Sequence, residues 1–108
     1  MMEDTLVLFT SDHGDMLGDH YLLQKGVPWR QAANVPLAIR LPGAEPTGEN
    51  PYSVELSDLA ATILDYAGLD ARQALSRSWP AYNDIIPSRS LLPVLRGEAD
   101  RCRDFCFA

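Results

Sequence analysis

Basic residues are scarce in this chain. Nine Lys and Arg stand against fifteen Asp and Glu, for a formal net charge of -6 over 108 residues. That surplus of acid offers no electrostatic footprint for nucleic acid or for an anionic membrane. Cysteine is just as sparse. Cys102 and Cys106 lie near the C-terminus without the framework of a disulfide scaffold. If that stretch is helical the two share a face, but two thiols without further ligands make a poor zinc site, so they read as unrelated thiols. No apolar run is long enough to cross a bilayer. The opening Met1-Met2-Glu3-Asp4 has neither the basic nor the apolar region of a signal peptide. The compartment stays open between cytoplasm and periplasm.

What is present describes a folded chain. The hydrophobic share is 46% and the charged share 22%, which argues against disorder. The length allows at most one domain with a modest core. Thr5 to Thr10 is a short apolar run bounded by turn formers and reads as a buried strand; Val35 to Leu41 reads as a second. Two such strands in parallel, joined by few residues, would leave long unpaired edges. Pro42 to Pro51 is rich in Pro, Gly and Asn and reads as a surface loop. Leu56, Leu59, Ala60, Ile63, Leu64 and Ala67 then recur at helical spacing as one apolar stripe. Ser57 is placed to cap that helix, Asp58 suits its dipole, and Gly68 can end it. Asp70 to Pro87 reads as irregular. Ser90 is placed to cap a short helix through Leu95, with Pro93 tolerated in the first turn and Gly97 ending it. Both ends look cut, since apolar runs sit at the start and at Asp104 to Ala108.

The most informative stretch is Thr10 to Lys25, TSDHGDMLGDHYLLQK. A carboxylate, Asp12, and an imidazole, His13, follow the first apolar run directly. The end of a strand is where open α/β sheets place their ligands. Gly14 allows a sharp turn that converges adjacent side chains on one ion, and Lys25 follows after a short loop. An Asp-His-Gly turn taken alone is better explained as a plain loop than as a metal site. Lys25 and Arg30 nevertheless make a local cationic exception in an acidic chain, as an anionic ester requires.

These residues resemble the second metal-binding segment of the sulfatases, within the alkaline-phosphatase-like superfamily. That segment runs from a strand into Thr-Ser-Asp-His/Asn-Gly, then Leu-Gly-Asp/Glu-His, then Lys. Asn34 to Gly43 (NVPLAIRLPG) resembles the family's next strand and turn, Val54 to Leu69 its following helix, and Ser88 to Gly97 its Gly-Arg-Ser-Leu-Leu-Pro-Leu-Leu segment. The four blocks occur in order along nearly the whole chain. The resemblance implies an α/β fold: a partial alkaline-phosphatase-like (sulfatase) sheet with flanking helices, incomplete on its own. It also implies that residues 1–108 are a C-terminal portion of a sulfatase catalytic domain, truncated at both ends.

The resemblance further implies a metal-dependent sulfuric ester hydrolase. Asp12 and His13 would be ligands to a divalent cation, Ca²⁺ first and Mg²⁺ or Mn²⁺ as alternatives. Lys25 would contact the sulfate, where a fixed ammonium stabilises developing charge, and a desolvated lysine can also protonate a leaving group. His20 could protonate the leaving group or line the pocket, or be a loop histidine bonded to backbone. Asp15 and Asp19 read as solvated turn residues, and Asp58 and Asp65 as capping and polar-face residues. Trp29 and Arg30 are possible pocket walls. The family attacks with a formylglycine made from Cys or Ser in Cys/Ser-x-Pro-x-Arg. Ile85-Ile86-Pro87-Ser88-Arg89 has an isoleucine at the nucleophile position, and Cys102 and Cys106 lack the following proline. The chain thus supplies a metal half-site and an anion contact, with the formylglycine expected in an N-terminal part that it lacks. The implied partners are a small-molecule sulfate monoester and the remainder of the catalytic domain, with no nucleic acid and no membrane. The alternatives are a phosphonate or phosphate monoester hydrolase of the same superfamily, and a non-catalytic binding module derived from such a domain.

Overall fold

The computed structural model of the chain describes residues 3–45, 48–78 and 87–106. Met1-Met2, Pro46-Thr47, residues 79–86 (including Ile85-Ile86 of the Ile85 to Arg89 segment) and Phe107-Ala108 lie outside the described residues. The chain divides into two compact units, one up to Gly48 and one from Glu49 onward. The boundary falls in the Pro/Gly-rich loop that the sequence marks as surface.

The first unit is built on a two-stranded sheet, β1 (Val7–Thr10) and β2 (Leu37–Arg40). The strands pair antiparallel, with Val7 opposite Arg40 and Thr10 opposite Leu37. This corrects the parallel arrangement expected from the sequence. Parallel pairing needs a crossover of a dozen or more residues, usually a helix. Residues 11–36 are long enough for such a crossover, but they fold as a loop and the four-residue α1 (Arg30–Ala33), with no helix to cover the sheet. Both strands are shorter than their apolar runs. Neither is fully buried: Phe9 is 65% exposed, and β2 alternates half-buried Leu37 and Ile39 with exposed Ala38 and Arg40. Among the described residues of this unit, Met16 and Ala32 are the buried apolar side chains.

The second unit holds α2 (Ser57–Tyr66), α3 (Ala71–Ser78) and α4 (Leu92–Leu95). The helix foreseen from the apolar stripe is present, and Gly68 follows it at φ +73 with its N–H on the Asp65 carbonyl. Its covered face is not the one foreseen. Asp58, Ala61 and Thr62 are buried, whereas Ile63 is 48% exposed and Leu56, Ala60 and Ala67 are exposed as well. The cause is a polar seam. Asp58 Oδ1 accepts from Arg89 N at 2.8 Å, and Thr62 Oγ1 accepts from Leu91 N at 2.9 Å while donating to Asp58 O. Residues 87–91 therefore lie on the polar side of the helix.

The expected caps are also redistributed. Ser57 is inside α2 and donates to Glu55 Oε2, while Asp58 Oδ2 accepts the Glu55 N–H. Ser90 lies one residue before the N-cap Leu91 of α4; its oxygen still accepts Leu92 N at 3.2 Å and donates to Asp65 Oδ2 at 2.5 Å. Pro93 sits in the first turn and Gly97 ends the helix at φ +72, as foreseen. The stretch from Asp70, expected to be irregular, forms α3. Asp70 starts it by accepting from Gln73 N at 2.8 Å, an N-cap bond that favours helix over loop.

Asp58 has no solvent exposure, and Arg103 answers its charge through Nε at 3.1 Å and through a second bond from NH2. Arg103 also reaches Glu55 at 2.7 Å and the Pro87 carbonyl at 2.9 Å. Burial works against the guanidinium, but bonding to Asp58 and the charges of Asp58 and Glu55 outweigh it and raise its pKa. The Cys102–Cys106 stretch is not helical, and both thiols are free. Burial, with the Asp58 carboxylate adding to it, pushes the Cys102 thiol up despite the opposing Arg103. A thiol with a raised folded-state pKa holds its proton more tightly when folded. Its contribution to stability is present below about pH 8.5 and is lost as pH rises through the folded value. Urea unfolding of the chain is expected to show a midpoint that falls above that pH, with Cys102→Ala reducing the fall; identical pH slopes for the two proteins would contradict the assignment.

Candidate metal and anion site

β1 ends at Thr10, and the next three residues fold tightly on themselves. Ser11 Oγ donates to His13 O at 2.7 Å, and Asp12 Oδ1 accepts from His13 N at 3.0 Å. The imidazole is oriented by its own neighbour: Nδ1 lies 2.7 Å from the Gly14 carbonyl. A carbonyl can only accept, so Nδ1 donates and the lone pair of the neutral ring sits on Nε2. Asp12 Oδ2 is 3.4 Å from that Nε2. The carboxylate is widely exposed and the imidazole about half-buried.

Lys25 returns to the same point because the intervening loop closes on itself. Met16 N donates to Gln24 O and Gly18 N to Leu22 O, both at 2.9 Å, with the Met16 side chain buried beneath. Such a tight reversal needs left-handed backbone. Gly18 supplies it at φ +94, but Leu17, His20, Tyr21 and Gln24 adopt positive φ as well, an uncommon state for residues with a Cβ. The result is direct contact between Lys25 Nζ and His13 Nε2. Asp12, His13 and Lys25, twelve or more positions apart at the extremes, are thus brought together.

The turn is braced from below by α1. Gly14 N donates to Ala32 O at 2.8 Å, and a Cβ at Gly14 would run into the Gln31 carbonyl oxygen. The glycine is needed for close approach, not for the positive φ that a sharp turn suggests. Gln31 Nε2 donates to Asp19 Oδ2, tying the 3-10 turn Asp19–Tyr21 to α1. No sequence signal pointed to Gln31. Asp15 accepts Leu17 N at 2.8 Å, a turn role as foreseen.

A sequence model of the family described as Sulfatase matches residues 1–69. The chain belongs to the sulfatase family. It is 41% identical over 96 residues to an arylsulfatase from Clostridium perfringens, covering 82% of this chain and 19% of that protein. It is 38% identical over 87 residues to a choline-sulfatase from Rhizobium meliloti, covering 81% and 16%. An N-acetylglucosamine-6-O-sulfatase from Bacteroides thetaiotaomicron matches at 30% over 105 residues, covering 96% and 17%. The chain spans less than a fifth of the length of these relatives.

Within this sulfatase chain the remaining candidates stand apart from the Asp12–His13–Lys25 contact. His20 stacks on Trp29 with ring centroids 4.3 Å apart, so its ring is engaged with an indole and not with backbone. Trp29 is 48% exposed and precedes α1, and Arg30 is exposed at the start of that helix. Asp12 Oδ2 and His13 Nε2 fit a shared cation in spacing: two donors each about 2.3–2.6 Å from one Ca²⁺ can lie 3.4 Å apart. Among the described residues no group of three or more His, Cys, Asp or Glu is arranged to hold a metal. Gly14→Ala is expected to push the turn off α1 and destabilise the chain by about 1–3 kcal/mol, the range for overpacking. Thermal unfolding together with the His13 imidazole NMR signals would read this, and an unchanged midpoint and spectrum would show that the turn tolerates a Cβ.

Proposed function

We propose that this chain is part of the catalytic domain of a metal-dependent sulfuric ester hydrolase, contributing two metal ligands and a sulfate-contacting lysine. The domain would be alkaline-phosphatase-like, with β1 and β2 as one portion of its α/β sheet. The observation that carries the reading is the convergence of Asp12 Oδ2, His13 Nε2 and Lys25 Nζ at one point; the Nε2 lone pair that accepts from the Lys25 ammonium is the one a cation would take, so cation binding would release Lys25 toward the ester oxygens. An oxygen donor, a nitrogen donor and a fixed positive charge then meet at one point on the exposed end of a strand.

Each residue has a defined task in that reading. Asp12 Oδ2 and His13 Nε2 would hold a divalent cation, with Ca²⁺ first and Mg²⁺ or Mn²⁺ as alternatives. When bound, such a cation lowers the cost of negative charge on the ester and its attacking group. The Gly14 carbonyl keeps Nε2 turned outward by engaging Nδ1. Lys25 places its ammonium against the equatorial oxygens of the ester group, where charge grows during attack. His20, held against Trp29, is a second-rank candidate for handing a proton to the leaving group. No Cys/Ser-x-Pro-x-Arg stands in the chain, so the nucleophile would come from elsewhere in the domain.

In the full-length protein that carries this chain, Lys25→Ala and Asp12→Ala should each lower kcat/KM for an aryl sulfate by about 10²–10³-fold. Unchanged turnover in either variant would remove that residue from the site. The same assay run with phosphate and phosphonate monoesters tests the ester class: faster turnover of either would assign the chain to that branch of the superfamily. Two protein donors are too few for tight binding, so calorimetry on the 108-residue chain should find no Ca²⁺ or Mn²⁺ affinity tighter than about 10⁻⁴ M. A tighter site would mean that the chain completes the coordination shell by itself.

A further inference from the structure

The second unit contains a segment held almost wholly by side chains. Along one face of α2, positions 57/58, 61/62 and 65 recur at helical spacing, and each bonds the stretch 88–91. Asp58 takes Arg89 N, Thr62 takes Leu91 N, and Asp65 takes the Ser90 hydroxyl. Ser88 goes further. Its hydroxyl donates to Ser57 O and accepts Ala61 N at 3.2 Å, the two groups that an uninterrupted helix pairs directly. The segment then runs through α4 and returns to its starting point. Arg103 binds both oxygens of Asp58 and the Pro87 carbonyl, while Arg89 NH1 donates to Cys102 O at 3.0 Å. Both ends of residues 87–103 are thereby fastened at one buried carboxylate.

We propose that residues 87–103 form a strap that leaves α2 as a unit while α2 and α3 stay folded, with the Asp58–Arg103 ion pair as its latch. The charge balance sets the direction. Closed, Asp58 is removed from water, and this is tolerated because Arg103, the Arg89 N–H and the Glu55 N–H face it. Open, the carboxylate regains water. Removing Arg103 therefore penalises only the closed state and shifts the balance toward opening. The opened strap exposes Leu91 and Leu92, which are buried when it is closed. The amides of Arg89 and Leu91 report the state of the strap specifically, because their acceptors are side chains of α2 and not a backbone ladder.

The test is native-state amide hydrogen exchange on the whole chain. In Arg103→Met, exchange at Arg89 and Leu91 should accelerate by about tenfold or more, with a much smaller change at Leu64 in α2 and Leu75 in α3. Adding Asp58→Asn to Arg103→Met should recover part of the protection, because it removes the unanswered charge. A uniform acceleration at all four amides would overturn the separable strap, and an unchanged rate at Arg89 and Leu91 would overturn the latch. If Arg103→Met does not fold, the wild-type protein in low denaturant decides the matter. Arg89 and Leu91 should exchange through a smaller opening than Leu64 and Leu75, and merging of all four into one opening would refute the proposal.

Discussion

A carboxylate with no access to water must be neutralised where it stands, and that requirement organises the second unit. Asp58 accepts backbone N–H groups from Glu55 and Arg89 and two bonds from Arg103. Those partners come from just before α2, from the segment 87–91 and from the C-terminal region. One side chain thus joins three separate parts of the chain. Breaking such a pair is costly because the survivor is left buried and unpaired, whereas the intact pair adds little beyond an apolar contact of the same size. The pair is therefore better viewed as specifying one arrangement than as the main source of stability.

In the first unit the corresponding constraint is close backbone approach. Gly14 lies against the Gln31 carbonyl with no room for a side chain, and its N–H is bonded to Ala32. This seats the Asp12-His13 turn on α1. The loop that follows reverses through several left-handed residues to bring Lys25 back to His13. Non-glycine residues in such conformations cost energy and persist only where surrounding contacts enforce them. Here the enforcing contacts are the Met16–Gln24 and Gly18–Leu22 backbone bonds, the buried Met16 side chain and the Gln31–Asp19 bond.

The Asp12–His13–Lys25 contact was legible in part because half of it is local. Asp12 and His13 are adjacent and follow an apolar run that marks a strand end, so a tight turn there can bring their functional groups together, as this one does. Lys25 was legible by its spacing after them, through the resemblance to the sulfatases. Helix α2 was legible from its period, and its burial was not. Periodicity identifies an apolar stripe, but which face is covered depends on what arrives to cover it. The hydroxyls and carboxylates of Ser57, Asp58, Thr62 and Asp65 read as an outward polar face, yet they are the groups that an extended backbone needs as partners. Asp70 was passed over as part of an irregular stretch although it carries the N-cap signal of α3.

The amino-acid sequence by itself determined roughly where the strands, the main helix and its glycine stop lie, and that the chain resembles the sulfatases. These are matters of short-range sterics, periodicity and motif order. Strand direction, the covered face of α2 and the union of Asp58 with Arg103 were decided only in three dimensions. Each depends on contacts between residues some 25 to 45 positions apart, and the cost of closing such loops changes only slowly with their length. Sequence spacing therefore does little to choose among possible partners; burial and charge neutralisation do.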